Sequence, residues 1–266
     1  MPPRPKRGLA VVTGASGGIG LEFCKLLARD GYDLALVARS REKLEGVATG
    51  LRGQYGVDAT PIVLDLSKYD SARELIRAVP ACDVLINNAG FGTYGRFDRI
   101  PEELVAEELS LDVVTLTRLT RAYLPGMIER GNGKVLNVAS TAGFLPGPLM
   151  AVYYASKAYV LSFSQALAEE LRGSGVTVTC LAPGATATGF SDRAGHSKSL
   201  LFRMAVGDPA KVARDGYRGM QRGKLLVVAR PATNLLVELG ARFTPRRPLL
   251  WMSRKAVEVK DADAPS

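Results

Sequence analysis

Short apolar runs alternate along this chain with longer stretches in which apolar residues recur every three or four positions. Leu9 to Thr13 is the first run, a predicted strand. A glycine-rich turn follows, then a helical stripe of Ile19, Phe23, Leu26 and Leu27. The stripe stops near Asp30-Gly31, where glycine suits the left-handed residue that closes a helix. Further strands are predicted at Leu34 to Ala38, Ile62 to Leu66, Val84 to Asn88, Lys134 to Ser140, Val176 to Leu181 and Lys224 to Ala229. Between them, helical spacing marks Arg41 to about Leu51, Ser71 to Val79, a long amphipathic Leu111 to Arg130, and a stretch through Tyr153, Leu161, Phe163, Leu167 and Leu171. Acidic helical residues begin at Pro101. Strand–helix alternation predicts a parallel α/β sheet wrapped by helices, because each parallel strand needs a crossover to reach its neighbour. Neither a repeat nor a linker divides the pattern, so residues 8–266 are expected to form one domain after a loose basic tail at 1–7.

Composition narrows the class. A chain of 266 residues with a 47% hydrophobic share can bury a proper core and is not disordered. No apolar run has the length of a membrane span and no signal peptide opens the chain, so a cytoplasmic location is expected. Cys24, Cys82 and Cys180 sit in apolar stretches without ligand-like spacing and read as reduced core residues, with no metal implied. The net charge of +9 raises the question of nucleic acid, but the basic residues are scattered and no recognition-helix or zinc-finger spacing accompanies them. A cofactor with several phosphates accounts for part of the excess. One basic group does cluster: Arg242, Arg246, Arg247, Arg254 and Lys255, beside Leu249, Leu250, Trp251 and Met252. It reads as a solvated rim, with an anionic membrane surface as the alternative.

The turn after the first strand is Thr13-Gly-Ala-Ser-Gly-Gly-Ile-Gly20. Glycines at 14, 18 and 20 let it close tightly and let backbone N–H groups, with Ser16 and Ile19 beside them, approach a pyrophosphate at the helix start. No Lys-Ser/Thr pair follows, so the turn is not a triphosphate loop. A dinucleotide is predicted. The end of strand two chooses between dinucleotides, since an acid there holds the ribose hydroxyls of NAD. Here Ala38 is followed by Arg39, Ser40 and Arg41, which favours a 2′-phosphate and hence NADP(H). Arg39 and Arg41 could instead be solvated residues at a helix start. Asp65 either lies near the adenine or caps the next turn.

Chemistry concentrates between Ser140 and Lys157. Tyr153 and Lys157 are one helical turn apart on one face, and Ser140 closes a strand. A phenol, a cation and a hydroxyl form a proton-transfer site for a carbonyl or alcohol oxygen. Moving a tyrosine from about 10 towards 7 takes roughly 4 kcal/mol. A positive charge about 5 Å away supplies roughly 3 kcal/mol at an effective dielectric near 20. Lys157 is therefore expected to lower the Tyr153 pKa.

Gly14-x-x-x-Gly18-x-Gly20, Asn87-Asn-Ala-Gly90, Ser140, Tyr153-x-x-x-Lys157 and Pro183-Gly184 occur in that order. Together they resemble the short-chain dehydrogenase/reductase family over roughly residues 8 to 230. Ala38-Arg39-Ser40 and Ser140-Thr-Ala-Gly143 are similar to its NADP-dependent carbonyl-reductase branch. The resemblance implies a single-domain Rossmann fold, doubly wound, with a seven-stranded parallel sheet. It makes Tyr153 the acid/base, Lys157 the group that lowers its pKa and holds the nicotinamide ribose, and Ser140 the polariser of the substrate oxygen. It puts Asn87, Ala89 and Gly90 along strand four and the adenosine–ribose side, and Pro183, Gly184 and Thr188 around the nicotinamide. It also implies a homodimer or homotetramer. One position departs: the family's usual asparagine on the long helix is Asp112 here, expected to position a water that links Lys157 to a proton relay and to raise the Tyr153 pKa somewhat.

Phe190 to Met204, within a covering segment at 190–220, is expected to close over an apolar pocket formed with Phe91, Tyr94, Phe144 and Leu145. His196, the one histidine, reads as an exposed loop residue, and 231–266 as a C-terminal extension. The leading reading is an NADP(H)-dependent oxidoreductase of a ketone, aldehyde or secondary alcohol. Its rivals are a catalytically weak NADP-binding sensor or scaffold, and a peripheral membrane or nucleic-acid protein.

Overall fold

In a computed structural model, residues 7–186, 207–229 and 244–258 are described. Among them one parallel sheet runs β3-β2-β1-β4-β5-β6-β7. Its strands are β1 (Leu9–Thr13), β2 (Asp33–Ala38), β3 (Ala59–Val63), β4 (Val84–Asn87), β5 (Gly133–Val138), β6 (Val176–Ala182) and β7 (Leu226–Val228). The helices are α1 (Gly18–Arg29), α2 (Arg41–Tyr55), α3 (Ser71–Ala78), α4 (Glu102–Leu109), α5 (Leu116–Glu129), α6 (Ala151–Glu170), α7 (Pro209–Gln221) and α8 (Arg246–Val257). Strand order reverses between β1 and β4, and a crevice opens there at the carboxyl ends, as it does wherever helices leave a doubly wound sheet in opposite directions.

The strands are continuous apolar runs because both faces of the sheet are covered. Ala10, Val12, Leu34 and Leu36 face one core with Phe23, Leu27 and Leu44. Val11, Ala35 and Val37, the intervening residues, face the other with Leu75, Leu119 and Met127. Cys24, Cys82 and Cys180 are free and buried, and burial raises the pKa of each thiol.

Several predicted elements differ. The third strand is Ala59–Val63, three residues earlier than Ile62 to Leu66, and it includes Pro61. Pairing decides this: β3 is an edge strand in register with β2 from Leu34↔Ala59 to Ala38↔Val63, and an edge tolerates a proline that an inner strand would not. The fifth strand stops at Val138, leaving Ser140 just beyond it. The long helix is not uniform, because a π-helical turn, Ser110–Thr115, joins α4 to α5. Of the expected covering segment at 190–220, residues 209–221 form α7, which buries Val212, Ala213, Tyr217 and Met220 in the core beside α1; residues 190–206 lie outside the described residues.

Candidate active site

Thr13 ties the two sides of the crevice together. Its Oγ1 accepts from the backbone N–H of Asn88 and of Ala89, both at 2.9 Å, and the Asn88 side-chain amide donates to the Thr13 carbonyl at 2.9 Å. The glycine turn thereby sits against the end of β4. Gly14 has φ 69°, a conformation that favours glycine. At Gly20 a Cβ would stand 2.3 Å from the Gly14 carbonyl oxygen, so only glycine fits. The first turn of α1 carries no acidic residue, although helix starts favour them. Its free N–H groups fit a pyrophosphate.

A cavity of about 1080 Å³ runs from this turn to Tyr153. Gly14, Ser16, Gly18 and Ile19 line one part, and Arg39 and Asp65 the adjacent part. Ala89 and Gly90 continue it towards Ser140, Tyr153, Lys157, Pro183 and Gly184. Two expected cofactor residues stand apart. Gly20 packs beneath the turn, and Asn87 faces into the protein, its amide donating to Thr120 Oγ1 at 3.0 Å and Asn137 Oδ1 at 2.9 Å. Asn87 braces β4, while Asn88 lines the cavity. Arg41 turns to Glu45 in an exposed ion pair at 3.6 Å, and Lys43, not singled out in the sequence, joins Arg39 at the cavity wall. Asp65 lines the cavity, and its Oδ1 accepts from Ser67 N at 3.1 Å and Ser67 Oγ at 2.8 Å, which caps the following turn. Thr188 and His196 lie outside the described residues. Among the described residues no cluster of three or more His, Cys, Asp or Glu side chains could hold a metal ion.

At the far end, Ser140 Oγ accepts from Ala142 N at 3.1 Å and also hydrogen-bonds Tyr153. Lys157 Nζ lies 5.4 Å from the centre of the Tyr153 ring. The π-turn brings Asp112 into direct contact with Lys157, Oδ2 to Nζ at 2.8 Å, with both side chains buried. Asp112 Oδ1 also accepts from Phe91 N at 3.1 Å, and Oδ2 accepts from Ser156 Oγ at 3.3 Å. Gly90 leaves the room, because a Cβ there would meet Asp112 Oδ1 at 2.9 Å and Lys157 Nζ at 3.1 Å.

A second carboxylate, missed in the sequence, lies one helical turn before Asp112. Glu108 is fully buried on α4, and its Oε2 accepts from Thr93 N at 3.0 Å and Thr93 Oγ1 at 2.6 Å. Its Oε1 has no hydrogen-bond partner among the described residues. Burial, reinforced by Asp112, pushes its pKa up to about 7 against the pull of Thr93 and Lys157. Burial also lifts Asp112, opposed by Lys157 and its hydrogen bonds. Within that pair the ammonium keeps the proton: burial works against it, but Asp112, Tyr153 and Glu108 hold Lys157 above its ordinary value, and Asp112 receives donors on both oxygens. Tyr153 differs from expectation. Burial raises its pKa, Asp112 and Glu108 add to the rise, and Lys157 and Ser140 only offset part of it.

The apolar wall also differs. Phe91 and Leu145 line the cavity, whereas Phe144 packs against the Val160–Leu161 cluster and Tyr94 against Met150 and Tyr154. Met150, and Leu249 and Met252 from α8, complete the wall. The apolar run at 249–252 was visible in the sequence, but nothing there said what it covers.

A family model described as short chain dehydrogenase matches residues 8–199. A very-long-chain 3-oxoacyl-CoA reductase from Anas platyrhynchos is 39% identical over 189 residues, which cover 68% of this chain and 61% of that protein. The chain thus spans about three-fifths of the length of such curated relatives. Two solved structures match nearly end to end. A short-chain dehydrogenase from Sphingobium yanoikuyae in complex with NADPH superposes with a TM-score of 0.80 at 31% identity, covering 97% of this chain and 98% of that one. A bulky-bulky ketone specific alcohol dehydrogenase from Comamonas testosteroni gives 0.77 at 28%, covering 98% of each.

Proposed function

The chain belongs to the short-chain dehydrogenase family, and on that premise we propose that it uses NADPH to reduce the keto group of an apolar, long-chain substrate, with 3-oxoacyl thioesters the favoured class. The observation that carries this reading is that Ser140, Tyr153 and Lys157 share one cavity with the glycine turn. The names of the relatives suggest the oxoacyl class, and the apolar wall of Leu145, Met150, Leu249 and Met252 suits an acyl chain. Arg39 and Lys43 would take the 2′-phosphate, and the start of α1 the pyrophosphate. Bound NADPH would supply the hydride.

The chain's own groups handle the proton. Ser140 holds the carbonyl oxygen, Tyr153 donates to it as negative charge develops, and Lys157 stabilises the phenolate left behind. A raised Tyr153 pKa favours this direction. The phenol keeps its proton at neutral pH, and the alkoxide it meets is a far stronger base than a phenolate. Asp112 keeps Lys157 charged. Assembly into a homodimer or homotetramer through the outer faces of α5 and α6, where Tyr159 stacks on Phe163, belongs to the same reading; sedimentation velocity checks it.

The test is NADPH oxidation over 3-oxoacyl thioesters of graded chain length and a set of bulky ketones, with NADH in parallel. Turnover should favour NADPH and the longer oxoacyl chains, and Tyr153→Phe should lower kcat/KM by about 10²- to 10⁴-fold. Preference for bulky ketones would move the substrate class towards that of the Comamonas neighbour. Tight NADPH binding with no turnover across the panel would replace the enzyme by a cofactor-binding sensor.

A further inference from the structure

Helix α8 uses its two faces differently. Leu249, Ser253 and Ala256 look into the cavity, with Met252 at its edge. Leu250 and Trp251 look outward, and Trp251 keeps 63% and Met252 57% of their surface exposed. Exposed cations flank this apolar centre on both sides, Arg246 and Arg247 before it and Arg254 and Lys255 after it. The helix contains no acid; Glu258, just past its end, pairs with Lys255 at 2.6 Å and Arg254 at 3.7 Å. Four cations against one carboxylate leave residues 246–258 at +3. Arg246 and Arg247 also occupy the first turn, where the helix dipole disfavours cations, so helix stability does not explain them.

We propose that the outer face of α8 is a docking surface for an anionic lipid bilayer. Leu250 and Trp251 enter the boundary between headgroups and acyl chains, and the four cations reach lipid phosphates around them. Met252, shared between this face and the cavity, marks where an apolar substrate would pass from membrane to site. The contact is peripheral, since the helix's 12 residues span only about 18 Å. No described helix is long and apolar enough to cross a membrane. A second copy of the chain fits this face poorly, because a two-fold contact would set one +3 segment against another. A nucleic acid would satisfy the cations but leave Leu250 and Met252 without apolar partners.

Trp251 is the only tryptophan in the sequence, so its emission reports insertion directly. Full-length protein is mixed with phosphatidylcholine vesicles, with and without phosphatidylglycerol. Anionic vesicles should shift the emission to the blue, shield it from an aqueous quencher and raise partitioning by about 100-fold, an effect that weakens with salt. Trp251→Glu, and separately the pair Arg247→Glu and Arg254→Glu, should each lower partitioning at least tenfold, roughly one buried apolar or two charge contacts. Circular dichroism and turnover of a short soluble ketone should stay unchanged. Unaltered emission and partitioning, self-association that Trp251→Glu abolishes without vesicle binding, or preference for DNA over vesicles would each overturn the proposal. Because binding is read without turnover, an inactive protein that still docks would defeat the catalytic reading and leave this one standing.

Discussion

Lys157 faces two buried carboxylates, and each has a distinct consequence for pH. Glu108 has a folded pKa of about 7 against an ordinary 4.5. A raised carboxyl pKa means that the folded state binds the proton more tightly than the unfolded chain. Stability is then greatest below the ordinary value and declines as pH rises from about 4.5 through 7, by about 3 kcal/mol in this case. Glu108→Gln should flatten that decline. Urea midpoints of parent and variant, followed from acid to pH 8, check it: the two curves should separate towards the alkaline end, where only the parent declines. Asp112 acts through charge. Its partner Lys157 has a raised folded pKa, so the stability of the pair is present below the ordinary lysine value of 10.5 and is lost as pH rises through the folded value. Asp112→Asn leaves the ammonium buried without a countercharge and should cost about 3 kcal/mol, with the alkaline unfolding limb moved to lower pH. An unchanged limb would mean that the direct ion pair does not form in solution. The link from Asp112 to Lys157 was legible in the sequence, but the Thr93 partner of Glu108 was not. Asp112 stood out as a departure at a recognised position, whereas Glu108 looked like one more acid on a polar helix.

The elements that matter most are the irregular ones. The glycine turn between β1 and α1 allows a sharp comparison, since Gly17 and Gly20 are three residues apart in unlike surroundings. A methyl at Gly20 would collide with backbone at Gly14, while Gly17 is extended with open space around it. Gly20→Ala should destabilise the fold by about 1–3 kcal/mol and weaken NADPH binding at least tenfold. Gly17→Ala should leave stability unchanged, since a Cβ there meets no heavy atom within 4 Å; thermal melts separate the two. The π-turn at Ser110–Thr115 is the second irregular element, and it brings Asp112 onto Lys157. Such turns recur at functional sites, but local residue preferences do not announce them. At the end of β4 the adjacent Asn87 and Asn88 take opposite sides, one into the β4–β5 brace and one into the crevice. The pair was visible in the sequence; which member met the crevice depended on the phase of the strand.

At the scale of the whole molecule, α8 lines a cavity together with segments far earlier in the chain, from Gly14 to Thr186. Its inner face should therefore set substrate length. Leu249→Ala should raise KM for a long-chain ketone about tenfold, the loss expected from thinning one apolar wall, and leave a short ketone unaffected. Equal effects on both substrates would indicate a general disturbance of the site instead.

Local patterns in the sequence were enough for strand–helix alternation, the glycine turn, and the Tyr153–Lys157 pair, because each depends on neighbours within one or two turns of chain. Apolar runs of the right length become strands in any parallel sheet, and residues four apart on a helix always share a face. Tertiary structure decided what no local window contains: the start of β3, set by its register with β2; the contact of Asp112 with Lys157; the burial of Glu108; and the helix that roofs the cavity. It also decided the proton affinity of Tyr153. A neighbouring ammonium lowers a phenol's pKa, but desolvation and two carboxylates raise it further, and those influences exist only once distant segments have packed around the ring.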